Sequence, residues 1–339
     1  MTECGVSYLG VRRLKLFQQD LEDMASHGIS FVVHTMSEND WSLYYETLRG
    51  MLRATHTAGM QTWLDPLALG YVFGDNGESQ FVPTHPEACQ VDQDGRLLPG
   101  ACLNQPAFRK FVSDWVDAAL ALEPDMLFWD EPHSYIGDWH GQPGRWGCRC
   151  SLCQSLYRER FGEKMPLRAE DPGVQAFKAE SLRSFLGEIL GHSKKQGGRN
   201  AITLLPAEYQ ENIPPDWEGI ASLPGVDNLG TDPYPFPAYS NQPSYADRWQ
   251  AFVTENVQRI LALGREHGLD SHLWIQGFSV PAQDQGYLEQ AIDLAAGAGI
   301  THLAVWGFDG DRDMSAFACE QPDQAWELIG QGFRRVRGK

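Results

Sequence analysis

The amino-acid sequence predicts an α/β protein of the (β/α)8 TIM-barrel class. Short apolar β-like runs alternate with longer helix-like stretches, the pattern of a parallel sheet covered by helices. Eight such units fill 339 residues without a spare segment. Neither G-x-G-x-x-G nor G-x-x-x-x-G-K-[ST] occurs, so the competing open, doubly wound sheet lacks its usual phosphate loop. The whole chain, 1–339, is therefore expected to be one barrel domain.

Taken in order, residues 5–9 make the first expected strand. The helix after it, 14–26, spaces Leu14, Phe17, Leu21 and Met24 at three and four residues and stops at Gly28. Residues 29–34 are the second strand. Helix 41–58, strand 61–64, helix 106–122 and strand 126–129 complete four units. The second half continues with helix 174–195, strand 201–205, an irregular stretch with a short helix, and strand 226–230. Helix 245–267, strand 272–275, helix 287–298, strand 302–306 and helix 322–334 finish the barrel. Segments 66–105 and 131–172 far exceed the usual two to six residues between a strand and its helix. Both belong to the face where such barrels do chemistry. They hold Tyr71, Phe73, Phe81, His85, His133, Trp139 and Trp146.

A net charge of -18 repels phosphate backbones and anionic membrane surfaces, which argues against nucleic acid and membrane partners. No segment approaches the roughly 18 uninterrupted apolar residues of a membrane span. Neither a basic leader nor a signal-length apolar run opens the chain, so a cytoplasmic protein is expected, with homo-oligomerisation left open. The seven cysteines are an odd number, and three crowd into Cys148-Arg-Cys150-Ser-Leu-Cys153, where mutual disulfides would be strained. Thiols or a metal site fit this usage better.

The chemistry centres on Asp125-Met-Leu-Phe-Trp-Asp-Glu-Pro-His133. Its apolar run is the fourth strand, Pro132 stops it, and Asp130 and Glu131 stand at its C-terminal end. Asp65, Asp232 and Asp309 follow three other strands, and Glu208 lies just past the fifth. In one barrel these carboxylates converge on one pocket. Cleaving a glycosidic bond needs an acid for the leaving oxygen and usually a second carboxylate, so such a ring suits that reaction. A single carboxylate at a strand end can equally cap a helix, bind a metal or pair with an arginine. Aromatic residues at strand ends, Trp63, Trp129, Trp274 and Trp306, with Tyr8, Tyr234, Phe278 and Phe308 nearby, offer faces for sugar C–H surfaces or pack the barrel. Trp306 is the best stacking candidate.

Cys-x-Cys-x-x-Cys supplies three soft ligands, and tetrahedral Zn2+ needs a fourth. Cys102 is the natural one, with Cys89 or a nearby histidine as substitutes. Together, Cys102-x-x-x-Pro-x-x-Arg, the Asp130-Glu131 pair and Cys148-x-Cys150-x-x-Cys153 resemble glycoside hydrolase family 42 β-galactosidases over about residues 100–165. That resemblance implies a structural zinc beside the barrel mouth, held by the four cysteines, and a general acid/base role for Glu131. The family's Asn-Glu pair is Asp-Glu here. Its strand-seven nucleophilic Glu corresponds to Gln276, which cannot form a glycosyl ester. The chain also resembles uncharacterised hydrolase-like barrels that combine a strand-four Asp-Glu with Cys-x-Cys-x-x-Cys.

The expected function is therefore hydrolysis of a small saccharide or glycoside. Glu131 is the general acid, Asp232 the favoured base or nucleophile, and Asp130 a further catalytic carboxylate. Asp65, His133, Glu208, Tyr234, Trp274, Gln276, Trp306 and Asp309 are expected to touch substrate. The loop 131–172, Cys102, Cys148, Cys150 and Cys153 are expected to hold Zn2+. An adjacent Asp-Glu pair is also similar to that of substrate-assisted hexosaminidases. Two other functions compete: a sugar-binding barrel without catalysis, and a lyase or isomerase whose metal is held by His34, His133 and carboxylates.

Overall fold

A computed structural model describes residues 2–74, 77–209, 216–238 and 243–338. Eight parallel strands close into a barrel: β1 (Glu3–Tyr8), β2 (Phe31–Thr35), β3 (Gln61–Asp65), β6 (Met126–Trp129), β7 (Asn200–Leu204), β8 (Asn228–Thr231), β9 (Asp270–Gln276) and β10 (His302–Trp306). The two remaining strands, β4 (Cys89–Val91) and β5 (Leu97–Ala101), pair antiparallel outside the barrel, inside the segment expected as loop. The fourth expected strand is thus β6, with the expected bounds.

Side chains alternate between two environments with the period of two that a strand imposes. Phe31, Val33, Trp63, Met126, Phe128, Ala201, Trp274, Ala304 and Trp306 fill the barrel as one buried cluster. Their neighbours in sequence, such as Val32, Leu64, Leu127, Trp129, Ile275 and Val305, pack outward against the helices. The large interior rings need small partners. A Cβ at Gly5 would come within 2.2 Å of the Phe31 ring, and one at Gly230 within 2.2 Å of His272.

The outer layer follows the helical spacing of the sequence. Helix α1 (Leu14–Ser26) has its expected bounds and buries Phe17, Leu21 and Met24. The single helix expected over 41–58 is two: α2 (Glu38–Leu43) and α3 (Tyr45–Thr57), broken at Tyr44. The earlier start comes from a capping box, in which the Ser37 hydroxyl accepts from the Asp40 N–H and the Asp40 carboxylate accepts from the Ser37 N–H. Helix α4 (Phe81–Thr84) and α5 (Pro106–Leu120) precede β6, and α6 (Ser151–Phe161) and α7 (Pro172–Lys195) follow it. After β7 and β8 come α8 (Trp217–Ala221) and α9 (Trp249–His267), then α10 (Tyr287–Ala298) and α11 (Pro322–Arg337). None of the described helices is long and apolar enough to cross a membrane.

The segment after β3 is tied down. The Glu38 carboxylate, buried, accepts from the backbone N–H groups of Gly70, Gln80 and Phe81 and from the Ser79 hydroxyl, at 2.7–3.0 Å. One side chain thereby holds the start of the segment after β3 against α2. Gly74, at φ +57°, donates its N–H to the Asp130 carbonyl at 3.0 Å. A Cβ there would stand 2.8 Å from the Asp130 carboxylate, so only glycine lets this loop close over the end of β6.

Candidate functional site

The alternation that fills the barrel also sets its rim. Trp63, Phe128 and Trp274 point inward, so Asp65, Asp130 and Gln276, two residues on, are inward at the C-terminal ends of β3, β6 and β9. Asp232 follows β8 in the same way and is 2% exposed. Three carboxyls and Glu131 share one neighbourhood. Burial first, and then the negative charges of Asp130 and Glu131, hold the Asp65 carboxyl well above the usual carboxylate range. Neither of its oxygens has a hydrogen-bond partner among the described residues. Asp232 is pushed up to about 8, again chiefly by burial and then by Asp130, while a hydrogen bond with the Glu131 carboxyl pulls the other way. With its pKa at about 8, Asp232 keeps its proton at neutral pH.

Glu131 has a left-handed backbone, φ +41°, which is strained for a residue with a Cβ. Its carbonyl is held by His133 Nδ1 at 2.6 Å. His133 is itself anchored through its N–H to the Val72 carbonyl at 3.0 Å, and burial lowers its pKa to about 4, so its imidazole is neutral.

Beside the rim lies a cavity of about 790 Å³, bounded by the segment after β6, the first half of α7 and the end of β7. Glu131 and His133 are in its wall, with Tyr135, Trp146, Leu205 and Tyr209. Asp65, Asp130 and Asp232 are not. The Tyr209 hydroxyl donates to the Tyr234 carbonyl, tying the turn after β7 to the turn after β8.

The other expected contacts separate into groups. Trp274 is inside the barrel, its Nε1 donating to Thr203 Oγ1 at 3.1 Å, and Trp306 packs against it edge-on at 5.3 Å. Tyr234 is half-buried, with its ring against Phe278 at 5.1 Å. Glu208 is half-buried with one oxygen unpartnered among the described residues. Asp309 pairs with Arg312 at 2.8 Å and is committed there. The Gln276 amide is wholly engaged with backbone: Nε2 donates to the carbonyls of Phe236 and Phe278 at 2.9 and 3.1 Å, and Oε1 accepts from the Phe236 N–H at 3.0 Å. It clamps the turn after β8 and has no N–H left for a sugar hydroxyl. Trp129 and Tyr8 face the helices, not the mouth. His34 also points outward, bonded to Thr55 of α3 at 3.0 Å, so it cannot share a metal with His133 as the lyase alternative requires.

The four expected sulfurs come together. Cys102, Cys148, Cys150 and Cys153 form one cluster with all Sγ atoms within 4.8 Å of one another, a set that can hold a metal ion. Hairpin β4–β5 delivers Cys102, whose N–H donates to the Ala88 carbonyl at 2.8 Å, and the N-terminus of α6 delivers the others. Cys89, the substitute, points elsewhere, towards the Val82 and His85 carbonyls. The separations of Cys102 from Cys150, 3.8 Å, and from Cys153, 3.4 Å, are near the roughly 3.8 Å edge of a tetrahedron with Zn–S near 2.3 Å. Donors already face the sulfurs: Asn104 Nδ2 to Cys153 at 3.4 Å and the Cys150 N–H to Cys148 at 3.4 Å. Hydrogen bonds from its neighbours, Cys102 foremost, hold the Cys150 thiol far below its ordinary pKa.

Two residues of the site carry no signal in the sequence. Tyr209 follows a strand in a turn. Lys178 lies mid-helix on α7, yet it is 6% exposed, its ammonium has no hydrogen-bond partner among the described residues, and burial lowers its pKa to about 7. It sits 5.5 Å from the Trp146 ring. A lysine on a covering helix reads as solvated until the loop after β6 is folded over it.

No protein-family model and no curated protein matches the chain. Among solved structures, it is similar to the catalytic domain of a β-amylase from Paenibacillus polymyxa, at 10% identity and TM-score 0.67, over 97% of this chain and 98% of that one. A GH5_18 protein from Streptomyces cattleya in complex with GlcNAc is similar at 13% identity and TM-score 0.64, over 100% and 81%. An endo-1,4-β-mannanase from Rhizomucor miehei gives 13% and 0.64, over 100% and 95%. Likeness at these identities establishes the barrel fold.

Proposed function

We propose that this barrel hydrolyses glycosides, with Glu131 as the general acid. The observation that carries the proposal is the position of Glu131. It bonds to a buried, proton-retaining Asp232 on one side and forms part of the wall of a ligand-sized cavity on the other. An acid must keep a proton at working pH and reach the leaving oxygen, and the protonated neighbour and the place in the cavity wall support that role for Glu131. As the C1–O bond breaks, the proton passes from Glu131 to the leaving oxygen, and water bonds to C1 while giving up its own proton to Asp130. Asp232, expected from the sequence as base or nucleophile, is hydrogen-bonded to Glu131. It serves instead as the partner that shares the acid's proton. Asp130, inward at the end of β6, is assigned to activate water or steady the charge developing at C1.

The same contact favours a second route. With Asp232 occupied by Glu131 and Gln276 clamped to backbone, the substrate's own acetamido group can act as nucleophile while Asp130 steadies it. A panel of nitrophenyl glycosides, assayed with chelator and with added divalent metal, tests both. Cleavage confined to N-acetylglucosaminides selects the substrate-assisted route, and cleavage of simple hexosides selects the first. Strict dependence on added metal would favour a lyase, and sugar binding without turnover a non-catalytic barrel.

Zinc in the four-cysteine cluster is part of the same proposal. Bound there, the ion would lock the hairpin β4–β5 to the start of α6 and so fix the loop that walls the cavity. The free state of all seven cysteines fits the expected cytoplasmic setting. The likeness to family 42 enzymes rests on these cysteines and on Asp130-Glu131.

A further inference from the structure

We infer that the cavity beside Glu131 is the leaving-group site and that it takes an apolar, ring-sized aglycone in preference to a second sugar. This rests on the hydrolase proposal, because a general acid donates to the bridging oxygen and the departing group must lie on the acid's side. Glu131 is in the cavity wall, whereas Asp65, Asp130 and Asp232 lie outside it, towards the barrel axis. The sugar whose C1 reacts therefore belongs over the carboxyls, and the departing group in the cavity.

The chemistry of the wall selects what departs. Its inner part is Leu204, Leu205 and Ile220, all buried, with the rings of Tyr135 and Trp146. Several of its polar groups are spent on the protein itself, and the Lys178 ammonium, without a hydrogen-bond partner among the described residues, is buried 5.5 Å from the Trp146 ring. The Tyr135 hydroxyl donates to Gln142, Trp146 Nε1 to the Leu167 carbonyl, the Tyr209 hydroxyl to the Tyr234 carbonyl, and Gln93 Nε2 to the Gly144 carbonyl. Two arginines of the wall are paired as well, Arg183 with Asp216 and Arg145 with Asp92. A sugar placed here would bury hydroxyls without partners, at a cost of about 1–3 kcal/mol for each one. An aromatic or alicyclic aglycone loses nothing on leaving water and gains the apolar wall. About 790 Å³ lies within the range of sites that enclose a small organic ligand.

The first test is binding, which needs no turnover. 4-Methylumbelliferone, an aglycone without its sugar, is titrated into the full chain and followed by tryptophan fluorescence. Saturable binding is expected, weakened at least tenfold in Ala179→Trp, which fills the cavity from α7. Ala176→Trp, from the exposed side of the same wall, is the second variant should the first unfold. Absence of saturable binding, or equal binding by the folded variants, overturns the proposal. The second test compares a benzyl glycoside, a methyl glycoside and a disaccharide of the same sugar, whose leaving alcohols are of similar basicity. The benzyl compound should exceed the disaccharide at least tenfold in kcat/KM, and Ala179→Trp should cut the benzyl-to-methyl ratio at least tenfold. A disaccharide preference overturns the aglycone assignment while leaving the hydrolase proposal standing. Binding of 4-methylumbelliferone with no glycoside turned over at all removes both the hydrolase proposal and the leaving-group role.

Discussion

The carboxyl of Asp232, after β8, hydrogen-bonds to the carboxyl of Glu131, after β6. Neither strand neighbours the other in the barrel, since β7 lies between them.

Glu131→Gln should lower hydrolysis of glycosides with poor leaving groups by about 10²- to 10⁴-fold, the usual contribution of a general acid. A dinitrophenyl glycoside departs without a proton and should lose far less. Steady-state kcat/KM on the two substrates checks this. Small, equal losses would reject the acid role.

Asp232 makes stability depend on pH. A carboxyl raised from 3.8 to about 8 in the folded protein keeps its proton over that window, so its contribution is greatest below pH 4 and is lost as the pH rises through 8. Asp232→Asn removes this slope. Its melting temperature relative to the parent should climb by several degrees between pH 4 and pH 8. Parallel stability profiles for the two proteins would show that Asp232 is not buried as a neutral acid.

Elemental analysis of the purified chain should find about one zinc, bound through four sulfurs. Cys150→Ser should lose the metal and lower the melting temperature more than it lowers turnover at a permissive temperature. An unchanged metal content would place the ion elsewhere.

Gln276→Ala leaves the buried backbone groups of Phe236 without their partners, a loss of about 1–3 kcal/mol for each group. Gln276→Glu should be at least as destabilising, because an ionised carboxylate can donate to neither the Phe236 nor the Phe278 carbonyl. Denaturant unfolding measures both variants. A Glu variant that is stable and gains activity would show instead that this position faces substrate.

Much of the architecture was legible because it follows local periodicity. The strands 126–129 and 302–306 and the helices 14–26 and 287–298 have the bounds their apolar spacing implies. The hairpin β4–β5 was not legible. Its strands are short, and Leu97-Leu-Pro-Gly-Ala101 carries Pro and Gly, which weigh against strand. The segment leading to it is held by long-range ties such as the Glu38 carboxylate on Gly70, Ser79, Gln80 and Phe81, which no local pattern reports.

By itself, the sequence determined the eight βα units, the carboxylates at their C-terminal ends and the cysteine spacing, because each is set by residue type and period along the chain. Only the tertiary structure decided what those groups do to one another. Barrel closure brought Asp232 onto Glu131, and strand alternation turned His34, Trp129 and Tyr8 towards the helices. The turn after β8 took up the Gln276 amide, and the loop after β6 folded over Lys178. Those outcomes depend on burial and on contacts between residues distant in sequence, and burial is what moves Asp232 to about 8 and Lys178 to about 7.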